Sequence, residues 1–211
     1  VGVLISGSGT NLQALLEACA SPDFPARIAV VISNKKSAFG LDRARSAGVP
    51  AVWISGRQFE DRQSHEAAIL QCLHDHKVQW IACAGYMRLL SESFVNAWPQ
   101  RILNIHPALL PAFPGLDAQG QAHSAGVQIA GATVHLVDAG CDTGPILAQG
   151  ATAALPGDTR DALQARILKL EHQLYPRVLR WAVEGRIRVE AGLAQIDLPP
   201  NESRFFWQDP Q

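Results

Sequence analysis

The sequence lacks what would tie it to a membrane, to nucleic acid or to an oxidising compartment. No apolar run approaches the roughly 18–20 residues that a membrane span needs. Basic and acidic residues nearly cancel, 18 Lys+Arg against 19 Asp+Glu, so no net field favours nucleic acid or a lipid surface. Only four cysteines are present, Cys19, Cys72, Cys83 and Cys141. They show no CxxC spacing and sit mostly in apolar segments, which predicts free thiols in a reducing, cytoplasmic setting. There are no internal repeats, no low-complexity tracts and no signal peptide. The chain opens at Val1 inside an apparent strand, so a few residues, the initiator Met among them, are expected to precede it.

What is present suits a globular chain. With 211 residues and 47% hydrophobic content, the expectation is one domain or two tightly joined halves. Short apolar runs alternate with helical patterns. Strands are predicted at Val1–Ser6, Arg27–Ser33, Val49–Ile54, Trp80–Ala84 and Ile102–His106. Helices are predicted after Asn11, over Ala38–Ala47 and Asp61–His76, and at Ser91–Trp98. In Asp61–His76, Ala67, Ile69, Leu70 and Leu73 are placed inward and His65, His74 and His76 on a solvated face. This alternation predicts an α/β fold: a doubly wound, mostly parallel sheet flanked by helices, with a Rossmann-like N-terminal half. Further on come a helical turn at Gln119–Ala125, strands at Val127–Asp138 and Gly144–Ala151, and a long helix at Thr159–Glu184. Asp158 is its expected cap, and Pro176 is expected to kink or break it. His135 falls mid-strand and reads as a core histidine. Arg186–Leu198 suggests a hairpin, and the tail PPNESRFFWQDPQ reads as irregular, with aromatics available to dock.

The first strand runs into Gly7-Ser8-Gly9-Thr10-Asn11 and then an amphipathic helix. Strand, glycine turn and helix make a phosphate cradle, because glycines let backbone N–H groups approach an anion and the helix N-terminus adds partial positive charge. A plain tight turn capped by Thr10 or Asn11 is the simpler alternative. The dinucleotide fingerprint is absent: GxGxxG lacks its third glycine, and the second strand ends in Asn34-Lys35-Lys36 rather than in the acid that holds a ribose. A single phosphate on a small substrate fits better than NAD. The three histidines of Asp61–His76 complete no metal-ligand pattern.

The stretch Leu103–Leu110, LNIHPALL, carries the chemistry. Strand alternation puts Asn104 and His106 on one face, and Pro107 stops the strand. A carboxamide and an imidazole therefore stand at a strand end, where an open α/β sheet binds its ligand. Asp138-Ala139-Gly140-Cys141-Asp142-Thr143-Gly144 is a glycine-flanked loop with two carboxylates. Asn104, His106 and one acid from this loop form a candidate catalytic set. A protonated His and an Asn amide are both donors suited to an oxyanion, and the His suits proton transfer to a leaving amine. No convincing nucleophile accompanies them, since Cys141 lies beside Asp142, which disfavours a thiolate. Direct acyl-type transfer without a covalent enzyme intermediate is the chemistry expected.

Several separated motifs, GSGTNLQALL, SNKKSAFGLDRA, AGYMRLLS, RILNIHPALLPAFPG, TVHLVDAGCDTGPILAQ and LEHQLYPRVL, closely resemble the glycinamide ribonucleotide formyltransferase family, over Val1 to about Arg186. N-I-H-P-x-L-L-P marks the wider formyltransferase superfamily. The resemblance implies attack by the amine of 5-phosphoribosylglycinamide on the formyl carbon of 10-formyltetrahydrofolate, giving formylglycinamide ribonucleotide and tetrahydrofolate in purine biosynthesis. It implies that His106 is the proton donor, that Asn104 stabilises the oxyanion, and that Asp142 raises the His106 pKa and relays protons. It assigns Gly9, Thr10, Asn11, Leu12 and Gln13, with Leu168, Lys169, Leu170 and Glu171, to the substrate. To the folate it assigns Arg62, Met87, Arg88, Leu89, Leu90, Asn104 and the loop Asp138, Ala139, Gly140, Cys141 and Asp142. No metal and no nicotinamide are implied, and the partners are these small molecules, with a homodimer left open.

The implied layout is one formyltransferase domain over 1–186, with a phosphate-binding half (1–100) and a catalytic, folate-binding half (101–186), followed by a hairpin and tail (187–211). Asp117 and His123 depart from the family's pattern, and nothing after Arg186 matches it. Methionyl-tRNA formyltransferase and formyltetrahydrofolate hydrolase are the nearest rivals, but each normally carries an additional domain for which this chain is expected to have no room. A phosphosugar sensor would explain the glycine loop but not Asn104, His106 and Asp142 together.

Overall fold

The computed structural model describes residues 1–209, and the chain divides into two compact units, Val1–Asn104 and the residues from Ile105 on. The first unit alternates β1 (Gly2–Ile5), α1 (Thr10–Ala20), β2 (Val30–Ser33), α2 (Gly40–Ser46), β3 (Ala51–Trp53), α3 (Arg62–Asp75), β4 (Ile81–Cys83), α4 (Glu92–Ala97) and the start of β5 (Ile102–His106). Its strands lie in the order β5-β4-β1-β2-β3, all parallel. The chain winds outward from β1 in one direction and then in the other, which makes the carboxyl ends of β1 and β4 the switch point of a doubly wound sheet. β1, β2 and β4 are buried throughout, as strands covered on both faces must be.

The second unit holds α5 (Ala118–Ser124), β6 (Ile129–Leu136), β7 (Ile146–Ala153), α6 (Arg160–Val183), β8 (Ile187–Glu190), β9 (Leu193–Ile196) and β10 (Phe205–Gln208). β6 and β7 are antiparallel, β10 adds to β7 in parallel, and β8–β9 form the hairpin expected near the C-terminus. The fold is thus a mostly parallel sheet flanked by helices. α6 lays Leu163, Ile167, Leu170, Leu174, Val178 and Trp181 inward, the i, i+3/i+4 stripe of a helix packed on a sheet.

Four details correct the sequence reading. Thr159, not Asp158, caps α6, its side chain accepting from Ala162 N–H at 3.2 Å; Asp158 is held by Arg166 instead. α6 runs without interruption past Pro176. On α3 the buried residues are His65, Glu66, Ile69 and Leu73, while Ala67 is exposed. His65, Ile69 and Leu73 recur every four residues and so share one face. The tail is not irregular throughout: residues 205–208 pair with β7, and the Arg204 guanidinium donates to the carbonyls of Ile146, Leu147 and Ala194 at 2.7–3.0 Å. Pro210 and Gln211, at the end of that tail, lie outside the described residues. Among the described residues no helix is long and apolar enough to cross a membrane.

Candidate active site

In the first unit the strand ends assemble the glycine loop. Ser6, buried just past β1, donates its hydroxyl to Asn34 Oδ1 at 2.7 Å and accepts from Met87 N–H at 2.9 Å. Segments following β1, β2 and β4 are thereby tied at the carboxyl edge of the sheet. Gly7 and Ser8 are exposed. Gly9 precedes α1 at φ +71°, with no side-chain cap bond, so neither Thr10 nor Asn11 is the cap that the simpler reading expected. A helix start leaves its first N–H groups without intrahelical partners, and Gly9 has no side chain with which to cap them. A Cβ on Gly9 would lie 2.7 Å from Gly40 Cα, and Gly40 N–H donates to Gly7 O at 3.1 Å. Arg43 grips the same loop, donating from Nε to Ser8 O at 2.9 Å and from Nη1 to Gln13 Oε1 at 3.2 Å. Thr10, Asn11 and Gln13 are half-buried; Leu12 is core and would offer a ligand its backbone only.

Of the residues assigned to folate, Arg62 meets the Met87–Leu90 segment. Met87 and Leu89 are 59% and 62% exposed, whereas Leu90 is buried. Arg62 donates from Nε to Glu66 Oε1 at 3.0 Å and from Nη2 to Leu89 O at 2.5 Å. Arg88 lies over Gly56, where a Cβ would come within 2.9 Å of its Nη1.

In the second unit His106 and Asp142 meet. His106 Nδ1 stands 3.4 Å from Asp142 Oδ2, and Nε2 stands 2.8 Å from Phe113 O, a carbonyl that can only accept. Both ring nitrogens therefore face acceptors. Asp142 Oδ2 also accepts from Gly115 N–H at 2.8 Å. On its other side Asp142 Oδ1 lies 3.6 Å from Nε2 of His135, whose Nδ1 is 2.9 Å from Leu136 O. Burial pushes the Asp142 carboxyl up, but the His135 hydrogen bond, the Gly115 N–H and the charges of His106 and His135 outweigh it and hold it well below the ordinary carboxylate range. Asn104, half-buried, precedes His106 by two residues on β5.

The proline loop after His106 is pinned from below. Thr133 Oγ1 donates to Ala108 O at 2.7 Å and accepts from Leu110 N–H and from Gln149 Nε2, both at 3.0 Å. The Asp138–Asp142 loop is shaped by Asp138 Oδ1, which accepts from Gly140 N–H at 3.0 Å and from the Thr143 hydroxyl at 2.8 Å. Ala139, Gly140 and Cys141 are exposed. Partial burial and then the charge of Asp142 push the Cys141 thiol up, which agrees with its exclusion as a nucleophile. Asp142 itself adopts φ +56°, a left-handed conformation that Asp tolerates better than most side chains.

On α6, Leu168 is half-buried and Lys169 exposed, Leu170 packs against Gly150, and Glu171 is only 4% exposed. Asp117 caps α5 by accepting from Gly120 N–H at 3.3 Å and pairs with Arg160 at 2.5 Å. Half-exposed as it is, it carries a local structural load. His123 Nε2 donates to Asp158 O at 2.9 Å. Sequence reasoning missed His135, Thr133, Arg43 and Glu66. The only available signal was the polar residue inside an apolar run, TVHLV for the first two. Among the described residues no group of three or more His, Cys, Asp or Glu could hold a metal.

A family model described as Formyl transferase matches residues 1–179. The phosphoribosylglycinamide formyltransferase of Haemophilus influenzae is 42% identical over 197 residues, 93% of either chain; that of Escherichia coli is 38% identical over 201 residues, 94% of this chain and 95% of the relative. The trifunctional purine biosynthetic protein adenosine-3 of Drosophila melanogaster is 46% identical over 187 residues, but this chain spans only 14% of its length. Among solved structures, glycinamide ribonucleotide transformylase 1 from Symbiobacterium toebii superposes with a TM-score of 0.91 at 50% identity, covering 92% of both chains. A formyltetrahydrofolate deformylase from Pseudomonas syringae has a TM-score of 0.86 at 25% identity, and 64% of that chain is covered.

Proposed function

Since the chain belongs to the phosphoribosylglycinamide formyltransferase family, we propose that it moves the formyl group of 10-formyltetrahydrofolate onto the amine of 5-phosphoribosylglycinamide, a step of purine biosynthesis. The glycine loop and the start of α1, Gly9 to Gln13, take the substrate phosphate; the uncapped helix start and the Gly9–Gly40 close approach support this. Leu168–Glu171 take the rest of the phosphoribosyl group, with the Glu171 carboxylate suited to hydroxyl donors. The folate, when bound, supplies the formyl carbon. Exposed Met87 and Leu89, on a backbone tied to Ser6 and Arg62, fit a flat, largely apolar ring, and Asp138–Asp142 offer exposed backbone groups to its polar edge.

The chemistry falls to three side chains. As the substrate amine forms its bond to the formyl carbon, the carbonyl oxygen gains negative charge, which the Asn104 amide and the His106 ring stabilise as donors. Breaking the old carbon–nitrogen bond leaves a nitrogen that needs a proton, and His106 gives it from Nε2, exchanging the Phe113 carbonyl that this nitrogen faces at 2.8 Å in the free protein for the reacting group. The attacking amine sheds a proton, and Asp142 with His106 forms the relay that takes it up. The observation that carries this reading is the ionised Asp142 carboxylate held against the His106 ring at 3.4 Å.

Two measurements test it. Tetrahydrofolate release, followed by absorbance, is expected only when the amine substrate is present; equal release without it makes the protein a hydrolase. His106→Ala and Asp142→Asn are each expected to lower kcat by on the order of 10²-fold with the fold intact. Near-normal turnover by either removes that residue from the mechanism.

A further inference from the structure

Glu66 is an acid only 5% exposed, on the inner face of α3, and no catalytic or binding role reaches it. Ionisable side chains that deep are rare unless they are fully partnered. Each oxygen here has a partner, and the partners converge on one stretch of chain. Oε1 accepts from Ser91 N–H at 3.0 Å and from Arg62 Nε at 3.0 Å, and Oε2 accepts from the Ser91 hydroxyl. Arg62, one turn earlier on α3, reaches on to Leu89 O at 2.5 Å. Ser91 in turn caps α4, accepting from Phe94 N–H at 3.2 Å.

We propose that Glu66 is a positioning residue for folate binding: through Ser91 and Arg62 it fixes the backbone that presents Met87 and Leu89. The inference rests on the reading of Met87–Leu90 as a folate-binding segment. The segment is held at Met87 by Ser6, at Leu89 by Arg62 and at Ser91 by Glu66. Between these ties two large apolar side chains stand more than half exposed. An apolar platform on a restrained backbone loses little entropy when a ring settles on it, whereas a loose one must be ordered at the expense of affinity. Arg62, with two of its donors spent on Glu66 and Leu89, is by the same geometry a strut for the platform.

The test is equilibrium binding of tetrahydrofolate by calorimetry, alongside both KM values and the thermal midpoint. Glu66→Ala leaves the Ser91 N–H, the Ser91 hydroxyl and the Arg62 Nε–H without the acceptor they share, while Arg62 Nη2 keeps Leu89 O. It is expected to raise the Kd for tetrahydrofolate and the KM for the formyl donor by about tenfold, the scale of having to order one or two freed side chains on binding, and to leave the KM for the amine substrate unchanged. Glu66→Gln keeps a carbonyl acceptor for Ser91 and is expected to recover most of the binding. If Glu66→Ala is folded and binds as tightly as the unaltered protein, the proposal is overturned. If it does not fold, Ser91→Ala decides: a weaker Kd with an unchanged amine KM supports the proposal, and an unchanged Kd ends it. Leu89→Ala, run in parallel, separates the two claims. Unaltered tetrahydrofolate binding there sinks the folate-segment reading itself, whatever Glu66 does.

Discussion

Asp142 has two imidazoles on its two oxygens, His106 at 3.4 Å and His135 at 3.6 Å, and each ring is anchored at its other nitrogen by a backbone carbonyl. His106 was legible in the sequence because a strand-end imidazole before proline serves no packing purpose; the glycine-flanked loop was legible as the source of an acid, but only the family resemblance chose Asp142 over Asp138. His135 was not. β6 is buried along both faces from Ala130 to Leu136, so alternation could not say which way the ring points, and the β6/β7 register shifts between Val134 and His135. A bulge of this kind re-aims a side chain, and local sequence does not announce it. The expected consequence is that His135→Leu, which keeps the volume and deletes the donor, lowers kcat by about tenfold, the scale of losing one hydrogen bond to a charged group. His135→Asn, which retains an N–H, is expected to keep more activity. Wild-type kcat in His135→Leu would make the ring a packing group only.

At the scale of elements, the proposed phosphate cradle is a strand, a turn and a helix whose geometry depends on one backbone conformation. Gly9 combines φ +71° with a backbone neighbour at 2.7 Å from any added Cβ. Alanine there meets two penalties, left-handed strain of roughly 1–2 kcal/mol and a contact with Gly40 Cα that no rotamer relieves. Gly9→Ala is therefore expected to raise the KM for the phosphorylated amine at least tenfold, with a much smaller change in the KM for the formyl donor. Equal KM values would take the glycine loop out of the substrate site. The strand, glycine turn and helix were legible because glycine spacing states its own backbone demands. The phase of α3 was not, since Ala67 and Leu70 are as apolar as the residues actually buried, and the buried face is decided by His65 and Glu66, whose partners lie at Ile54 and Ser91. The last strand escaped notice for a related reason. Phe205–Gln208 is four residues long, and its place beside β7 is secured by Arg204 binding carbonyls up to 58 positions away.

For the whole molecule, the alternating pattern was enough to predict a parallel, doubly wound arrangement, because helix and strand periods differ and buried strands run apolar. What alternation could not supply was the acid–base bookkeeping that links distant segments. Asp158 shows its consequence. It was expected to cap α6; instead its two oxygens take Arg166 Nη1 at 2.6 Å and Nη2 at 3.0 Å, with Leu155 N–H at 2.7 Å, and Arg166 also donates to Ala153 O. The Arg166 hydrogen bonds, before any other cause, lower the Asp158 carboxyl from 3.8 to about 2. A carboxyl whose folded pKa is depressed contributes stability that is complete above its unfolded pKa and is lost as pH falls through the folded one. The window for Asp158 is thus from about pH 4 down to about pH 2. Asp142, lowered as well, adds to the same acid limb. Asp158→Asn should therefore reduce the urea midpoint near neutral pH, where Arg166 loses its charged partner in a buried setting. The gap between variant and unaltered protein should close as pH is taken from about 4 towards 2, where the native acid is neutralised too. Two curves that stay parallel across that interval would show that the Arg166 pair carries none of the protein's acid sensitivity.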